Sequence, residues 1–436
     1  MQCELRPLKD LCSLIADCPH STPVWTDSGH VVIRNQNIKG GRLDLSSPSF
    51  TDALHFAHRI RRAKPLAGDI IFTREAPMGE VCMIPSGLEC CVGQRQVLLR
   101  PNPDVVNGRF LLFALQSPQV QHQIGWNEGT GSTVSNVRIP VLEALRIPTP
   151  SLETQNAIAA VLGALDDRID LLRQTNATLE SIAQAIFKSW FIDFDPVRAK
   201  AEGREPDGID AATAALFPAE FEESELGLIP KGWRAVPFTD TVHVLGGGTP
   251  KTTVSDYWDG ETPWFSVVDA PSPGQVFTFS TEKTVTAAGL QNSSTRLLPA
   301  WTTIISARGT VGKLAMAGCP MAMNQSCYGL TPKLDGTEHL VYLSAQRLVV
   351  DLKRLAHGGV FDTITKQTLS SVTTVQATAA VALAFAELTR PFFEQIGIGV
   401  SRIATLIALR DSLLPRLISG TLRLPSVLEQ LEGAIA

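Results

Sequence analysis

Hydrophobic positions along this chain fall into two regimes, and the pair of regimes occurs twice. From residue 1 to about 150 the apolar residues come as short runs, such as Val31-Val32-Ile33 and Ile70-Ile71-Phe72. Turn residues cut them at Asp27-Ser28-Gly29, Lys39-Gly40-Gly41, Pro77-Met78-Gly79, Pro85-Ser86-Gly87 and Pro101-Asn102-Pro103. Short apolar runs bounded in this way predict strands and turns. Phe110 to Ser117, behind Asn107-Gly108, predicts a short helix that Pro118 ends or kinks. After Pro148-Thr149-Pro150 the period lengthens: Ile158, Leu162, Leu165, Ile169, Leu172, Leu179, Ala183 and Ile186 step by four and three, with Asn176 in the one polar slot. That spacing is a heptad seam, and a polar seam residue can set register or partner choice. Ser151 with Glu153 opens the helix as a cap followed by an acidic first turn.

About 230 residues later the plan returns. Ser21-Thr22-Pro23 is matched by Gly248-Thr249-Pro250, Val31-Val32-Ile33 by Trp264-Phe265, and Ile70-Ile71-Phe72 running to Gly79 by Thr303-Ile304-Ile305 running to Gly312. Val92-Gly93-Gln94-Arg95 is matched by Met323-Asn324-Gln325, and Gly129-Thr130-Gly131-Ser132 by Gly358-Gly359-Val360-Phe361. The closing helix of the second half carries a seam at Ile396, Val400, Ile403, Ile407, Leu414 and Leu417, with Arg410 in one slot. It reads less cleanly. Gly397 and Gly399 each weaken a helix by about 1 kcal/mol, Pro415 is expected to kink or interrupt it, and Pro391 to mark a helix start or kink. The fold class expected is mixed α+β (α/β): two domains of strands and short helices, separated by two long helices that pair as an antiparallel coiled coil. The boundaries are 1–150 for the first domain, 151–195 for the first long helix, 196–230 for an acidic connector, 231–375 for the second domain and 376–424 for the second long helix.

Charge and composition narrow the function. The 436-residue chain has a formal net charge of −5, which argues against a polybasic nucleic-acid binder. The charge is uneven, however: Arg59, Arg61, Arg62, Lys64, Arg74, Arg95 and Arg100 fall in the first half, where they can form a local basic face or a plain solvated surface. The eight cysteines form no C-x-x-C pair and no zinc-finger spacing, so they are expected to be reduced and mostly buried. No signal-peptide pattern opens the sequence, and the run Ala379 to Ala386 is too short to span a bilayer, so the cytoplasm is the expected compartment. Catalytic motifs are missing. Gly246-Gly247-Gly248-Thr249-Pro250-Lys251-Thr252 lacks phosphate-loop spacing, and Pro250 removes an N–H that such a cradle needs. No Pro-Pro dipeptide exists to build a methyltransferase's base-gripping loop. Asp166-Asp167 sits on a helix, where a solvated face is the expectation rather than a metal site.

What remains is recognition chemistry. Arg and Lys suit guanine edges, Asn and Gln suit adenine edges, and Ser, Thr and backbone N–H groups suit phosphates. The candidate DNA-binding residues are Ser21, Thr22, Arg34, Asn35, Arg74, Glu75, Gln94, Arg95, Ser132 and Thr133 in the first half. In the second they are Thr249, Lys251, Trp264, Ser266, Arg308, Lys313, Asn324, Gln325, Phe361 and Thr363. Arg74-Glu75 stands roughly where Arg308 and Lys313 fall, and Gln94-Arg95 where Asn324-Gln325 fall.

Particular segments resemble a known family. Ala185-Ile186-Phe187-Lys188-Ser189-Trp190-Phe191-Ile192-Asp193-Phe194-Asp195-Pro196-Val197 is similar to the central region of type I restriction-modification specificity subunits, and Leu406 through Gly420 resembles their C-terminal region. Cys18-Pro19-His20-Ser21-Thr22-Pro23 resembles the start of a first target-recognition domain. Ile229-Pro230-Lys231-Gly232-Trp233, Gly247-Gly248-Thr249-Pro250, Tyr257-Trp258 and Pro263-Trp264 resemble the start of a second. One departure stands out. The first half keeps the family's link into the helix, Ile147-Pro148-Thr149-Pro150, whereas the second has Thr373-Thr374-Val375-Gln376-Ala377, so the second helix is expected to start differently or pack less tightly.

The resemblance implies a noncatalytic subunit whose halves each read one part of a bipartite double-stranded DNA target. It further implies helices that act as a ruler and dock two modification subunits, and restriction subunits that complete the complex. A helix of 35 to 40 residues is about 55 Å long at 1.5 Å per residue, more than one duplex turn. S-adenosylmethionine, ATP and magnesium would be held by those partners and no cofactor by this chain. A specificity subunit of a fused, non-type I restriction-methylation system is a near alternative. A coiled-coil scaffold with no DNA role and an enzyme with an unrecognised nuclease site are alternatives of other classes.

Overall fold

Ile70–Thr73 is apolar at successive positions and buried along its whole length, as a strand covered on both faces must be. It lies inside a four-stranded antiparallel sheet ordered Cys12–Asp17, Gln96–Pro101, Ile70–Thr73, Val81–Met83. Its counterpart Thr303–Ser306 is also fully buried, in a sheet ordered Val242–Gly246, Cys327–Pro332, Thr303–Ser306, Leu314–Ala317, with Phe277–Thr278 added at the edge. The computed structural model describes residues 4–126, 136–355 and 363–422. These form two compact units, one comprising the chain to Ile169 and from Thr405 onward, the other Asp170–Ala404.

The units repeat each other strand by strand. In the first, a small sheet orders Ser49–Thr51, His30–Ile33 and Cys90–Val92, the last two parallel. In the second, Thr284–Val285, Trp258–Phe265 and Ala322–Met323 take the same order, again with the last pair parallel. Glu4–Pro7 pairs antiparallel with Arg146–Thr149, and Arg234–Pro237 with Thr373–Gln376. The strand Thr373–Gln376 pairs without the proline that Pro148 supplies in the first half, so the link into the second helix adopts the same extended backbone. The expected difference at that helix start is absent, because strand pairing rather than proline fixes the backbone there.

The short helix Gly108–Gln116 is capped by Asn107 and stops before Pro118, which begins a second helix, Pro118–Trp126, as expected from its missing N–H. The first long helix runs from Leu152 to Lys188, with the Ser151 hydroxyl accepting the Thr154 N–H at 3.3 Å. It ends in a wider turn, Ser189–Asp193, closed by Phe194 at φ 57°. The second long helix runs unbroken from Ala379 to Ile418. Pro391 and Pro415 lie inside it, contrary to the expected helix start and interruption. A proline in a helix costs about 3 kcal/mol, but Phe393 and Ile396 follow Pro391, and Leu413, Leu414, Leu417 and Ile418 flank Pro415, all of them buried. A buried Leu, Ile or Phe contributes about 1.5–3 kcal/mol each, enough to hold the helix through both sites. By length and composition this helix is apolar enough to cross a membrane, but Val381, Phe385, Phe393 and Ile396 are buried in protein core.

The long helices pair antiparallel in both units. In the first, Arg410 Nη1 meets Asp166 Oδ1 at 2.8 Å, and Leu414 and Leu417 share a core with Ile158, Leu162 and Leu165. Asp166 is therefore an interhelical partner rather than part of a solvated face, and Asp167 pairs with Arg109. In the second, Asn176 is 1% exposed and its Nδ2 donates to the Ile396 carbonyl at 3.4 Å. Gly399 lies against that amide: a Cβ there would sit 2.9 Å from both Cγ and Nδ2 of Asn176 and nearer still to Oδ1. Of the remaining seam residues, Ile169, Ile396 and Ile403 are buried, and Leu172, Leu179, Ile186, Val400 and Ile407 are half-buried.

The acidic connector is folded. Helices Asp195–Ala201 and Ala211–Ala215 lead into a hairpin, Phe221–Ser224 with Gly227–Pro230. Trp190, Phe191, Phe194, Phe217, Trp233 and Phe385 pack there as an aromatic cluster.

Candidate nucleic-acid interface

In each unit three segments are held together at the end of the small sheet: the turn after its central strand, the tip of the hairpin in the larger sheet, and the turn that leads from the small sheet's last strand into the larger sheet. Backbone hydrogen bonds set this frame, and they repeat. Gly93 N–H donates to the Ile33 carbonyl as Asn324 N–H does to the Phe265 carbonyl. Arg74 N–H donates to Arg95 O, and Ala307 N–H to Ser326 O. The hairpin tips close alike, Gly79 N–H to Thr73 O and Gly312 N–H to Ser306 O, both at 2.9 Å. Each of these glycines has a positive φ, 85° and 81°, which only glycine adopts without strain. A side-chain hydroxyl then receives the next amide, Glu80 N–H on Thr73 Oγ1 and Lys313 N–H on Ser306 Oγ.

These bonds fix which positions correspond. Gln94 stands opposite Gln325, one place away from the expected pairing with Asn324, whose equivalent is Gly93. Arg74 corresponds to Ala307, Glu75 to Arg308 and Glu80 to Lys313. The shared frame therefore carries opposite charges at its hairpin tips.

A family model described as the type I restriction modification DNA specificity domain matches residues 5–181 and 230–373. The chain belongs to this family. The type I restriction enzyme HindI specificity subunit of Haemophilus influenzae is 27% identical over 397 residues, which span 81% of this chain and 86% of that one. The type I restriction enzyme MjaIX specificity subunit of Methanocaldococcus jannaschii is 31% identical over 159 residues, 36% of this chain and 37% of its own. Among solved structures, a type I restriction-modification system S subunit from M. genitalium covers 95% of both chains with a TM-score of 0.56 and 14% identity, which shows a shared fold. The two segments matched by the specificity-domain model each contain one copy of the loop frame.

Within this specificity frame the candidate residues divide by what they touch. Several hold the frame together. Arg74 bonds Asp17 Oδ1 at 2.8 Å and the Val137 carbonyl at 3.1 Å, leaving its side chain 11% exposed. Asn35 donates to the Glu75 carbonyl at 2.5 Å and accepts from Gln96 Nε2 at 3.1 Å. Trp264 is buried, its Nε1–H donating to the Gly248 carbonyl at 3.0 Å, and Ser266 is bonded to Asp269 through both N–H and hydroxyl. Gly247 packs against the Asn324 and Met323 backbone and Gly248 against Ser294 and Thr295, so these glycines serve close approach of neighbouring chain segments rather than a phosphate cradle.

Others present functional groups. Ser21, Thr22, Arg34, Lys251, Arg308, Lys313 and Gln325 are exposed. Thr249 hydrogen-bonds Gln325, and Arg308 lies across a backbone bridge from Thr363. Asn324 is half-buried, its Oδ1 accepting the Ser326 N–H. Gln94 is half-buried with its Oε1 unbonded. Arg95 faces Glu75 at 3.6 Å, which neutralises it in part. Ser132, Thr133 and Phe361 lie outside the described residues, as do the two Gly-centred loops that contain Ser132 and Phe361.

The expected basic face of the first half is split: Arg61, Arg62, Lys64 and Arg95 are exposed, whereas Arg59, Arg74 and Arg100 turn inward. Arg59, 3% exposed, donates to the carbonyls of Val92, Ser21 and Pro19. Arg100 forms a forked pair with the buried Asp69, and Lys64 pairs with Glu89. Arg59 is thus a frame residue that sequence reasoning placed on the surface. Trp25 was missed as well: it is 44% exposed and carries the Arg34 guanidinium 4.9 Å from its ring centre.

Among the described residues the seven cysteines are free thiols; Cys18, Cys82, Cys90, Cys91 and Cys327 are buried, and burial pushes the Cys91 thiol up to about 11 and that of Cys12 to about 12. Among the described residues no cluster of His, Cys, Asp or Glu has the makings of a metal site.

Proposed function

We propose that this chain is the noncatalytic DNA-reading subunit of a type I restriction-modification complex, each half reading one part of a bipartite duplex target. One observation carries this reading. The same hydrogen-bonded frame is built twice, and the charged side chains mounted on it differ at equivalent positions: half-buried Glu75 against exposed Arg308, and half-buried Glu80 against exposed Lys313. A repeated frame supplies one docking geometry. Different polar groups at its tips then select different base edges, because each base pair presents its own donor and acceptor pattern in the major groove.

In this reading residues 1–150 and 231–375 are the two recognition domains, and the paired helices set the spacing between half-sites and dock two modification subunits. Restriction subunits join the same assembly. S-adenosylmethionine, ATP and magnesium belong to those partners, and the complex works in the cytoplasm. The mild net negative charge leaves much of the salt-dependent phosphate attraction to the partners, so the subunit alone binds DNA weakly.

Replacing residues 1–150 with the corresponding segment of another family member tests the model. Methylation mapping of a strain carrying the chimera should show one half-site changed and the other kept. A change in both, or in neither, would refute two independent readers.

A further inference from the structure

Arg34 stands apart from the other arginines of the first frame. Arg74 is tied to Asp17 and Arg95 faces Glu75. Among the described residues no carboxylate lies within ion-pair distance of Arg34, and its guanidinium rests instead on the face of Trp25 at 4.9 Å. Both side chains are exposed. A guanidinium stacked on a ring uses its flat face for the contact, and its N–H groups, which lie in the plane of the fork, stay available. Stacking also restricts a long side chain that would otherwise lose rotamer freedom on binding.

The anchor beneath is rigid. Arg34 N–H donates to Asn37 Oδ1 at 2.9 Å, opening a tight turn, and the neighbouring Asn35 is bonded to the hairpin tip and to Gln96. The guanidinium is thus mounted beside the hairpin, oriented, unneutralised and solvent-facing. The second frame has nothing comparable at this point: the residue equivalent to Arg34 is Ser266, whose hydroxyl is committed to Asp269.

We infer that Arg34 reads a guanine in the first half-site and that Trp25 is its positioning residue. This rests on the proposed DNA-reading role. The fork matches the O6 and N7 acceptors of guanine, and the indole holds it in that attitude before DNA arrives.

The test uses the full chain assembled with its modification subunits, with methylation measured across a library of duplexes varied at every target position. Arg34→Ala should lower discrimination at one base pair of the first half-site by roughly 10- to 100-fold and leave the second half-site unchanged. Arg34→Lys, which keeps the charge but loses the fork, should relax the same position. Trp25→Ala should weaken discrimination there too, and Trp25→Phe should restore most of it. Two results would overturn the inference: a uniform loss over all sequences with a shallower salt dependence, which marks a phosphate contact, or unchanged discrimination in both Arg34 variants. If instead the unaltered complex shows no base preference assignable to the first half, the DNA-reading role itself fails, independently of Arg34.

Discussion

Gly399 offers a test of the helix pairing in which sequence and structure predict opposite signs. In a solvent-facing helix, Gly→Ala stabilises by about 1 kcal/mol. Here the new methyl would press on the Asn176 amide, with both Cγ and Nδ2 at 2.9 Å. That amide cannot swing away, since Asn176 is 1% exposed and bonded to the Ile396 carbonyl. Overpacking a closed site costs about 1–3 kcal/mol, and a displaced amide left buried without its partner costs about 1–3 kcal/mol more. Set against the propensity gain, Gly399→Ala should destabilise by about 2 kcal/mol, or roughly 4–8 °C of melting temperature for a unit of this size. Adding Asn176→Ala removes the obstructing amide, so the double variant should recover most of the loss, with a coupling energy of about 2 kcal/mol. Thermal melts of the four proteins, followed by far-ultraviolet circular dichroism, complete the cycle. A stabilised Gly399→Ala variant, or strictly additive effects, would show that the two residues do not meet and would refute the packing argument.

Other outcomes are as specific. Arg308→Ala or Gln325→Ala should each relax one base position of the second half-site by about 1–3 kcal/mol if the contact is bidentate, as read by methylation of a duplex library; a uniform loss would make the residue a phosphate contact. Arg74→Ala should act through the fold, lowering thermal stability by about 1–3 kcal/mol because Asp17 and the Val137 carbonyl lose a largely buried partner, and selective relaxation of one base without destabilisation would contradict that. Burial, reinforced by the Arg390 charge, pushes His339 from 6.5 down to about 4. Between those values the unfolded chain binds the proton and the folded one does not, so stability falls as pH drops from about 6.5 to about 4, by at most about 3 kcal/mol. His339→Gln should flatten that part of a stability–pH profile, and an unchanged slope would count against it.

Local signals carried most of the architecture. The 4-3 stepping from Ile158 to Ile186, the Ser151 cap and the stop before Pro118 depend on neighbours in sequence, and all have the expected effect in the structure. Pro391 and Pro415 neither start nor interrupt the helix, because the buried residues that hold it through them, Phe393 and Leu417 among others, act through partners far away in the chain. The recognition frame was harder to read for the same reason. Arg74 meets Asp17 and Arg100 meets Asp69, pairings 57 and 31 residues apart that a surface-charge argument does not see. The equivalence of Gln94 with Gln325 emerges only from the matching amide bonds of Gly93 and Asn324. Exposed loop residues such as Trp25 leave no periodic trace, and the stacking partner that gives Trp25 meaning is nine positions away.

The short pairings of Glu4–Pro7 with Arg146–Thr149 and of Arg234–Pro237 with Thr373–Gln376 act as clasps: in each half the chain enters and leaves the reading head at one spot. Everything between a clasp's two strands forms a closed circuit, joined to a long helix on one side only. On the two-reader model proposed above, a crossover within each strand of a clasp would exchange one half's vocabulary while leaving the grammar of the helices intact. Such an exchange would let a cell lineage rewrite half of the DNA target it marks as its own in one inheritance event, without waiting for the rest of the machine to adapt.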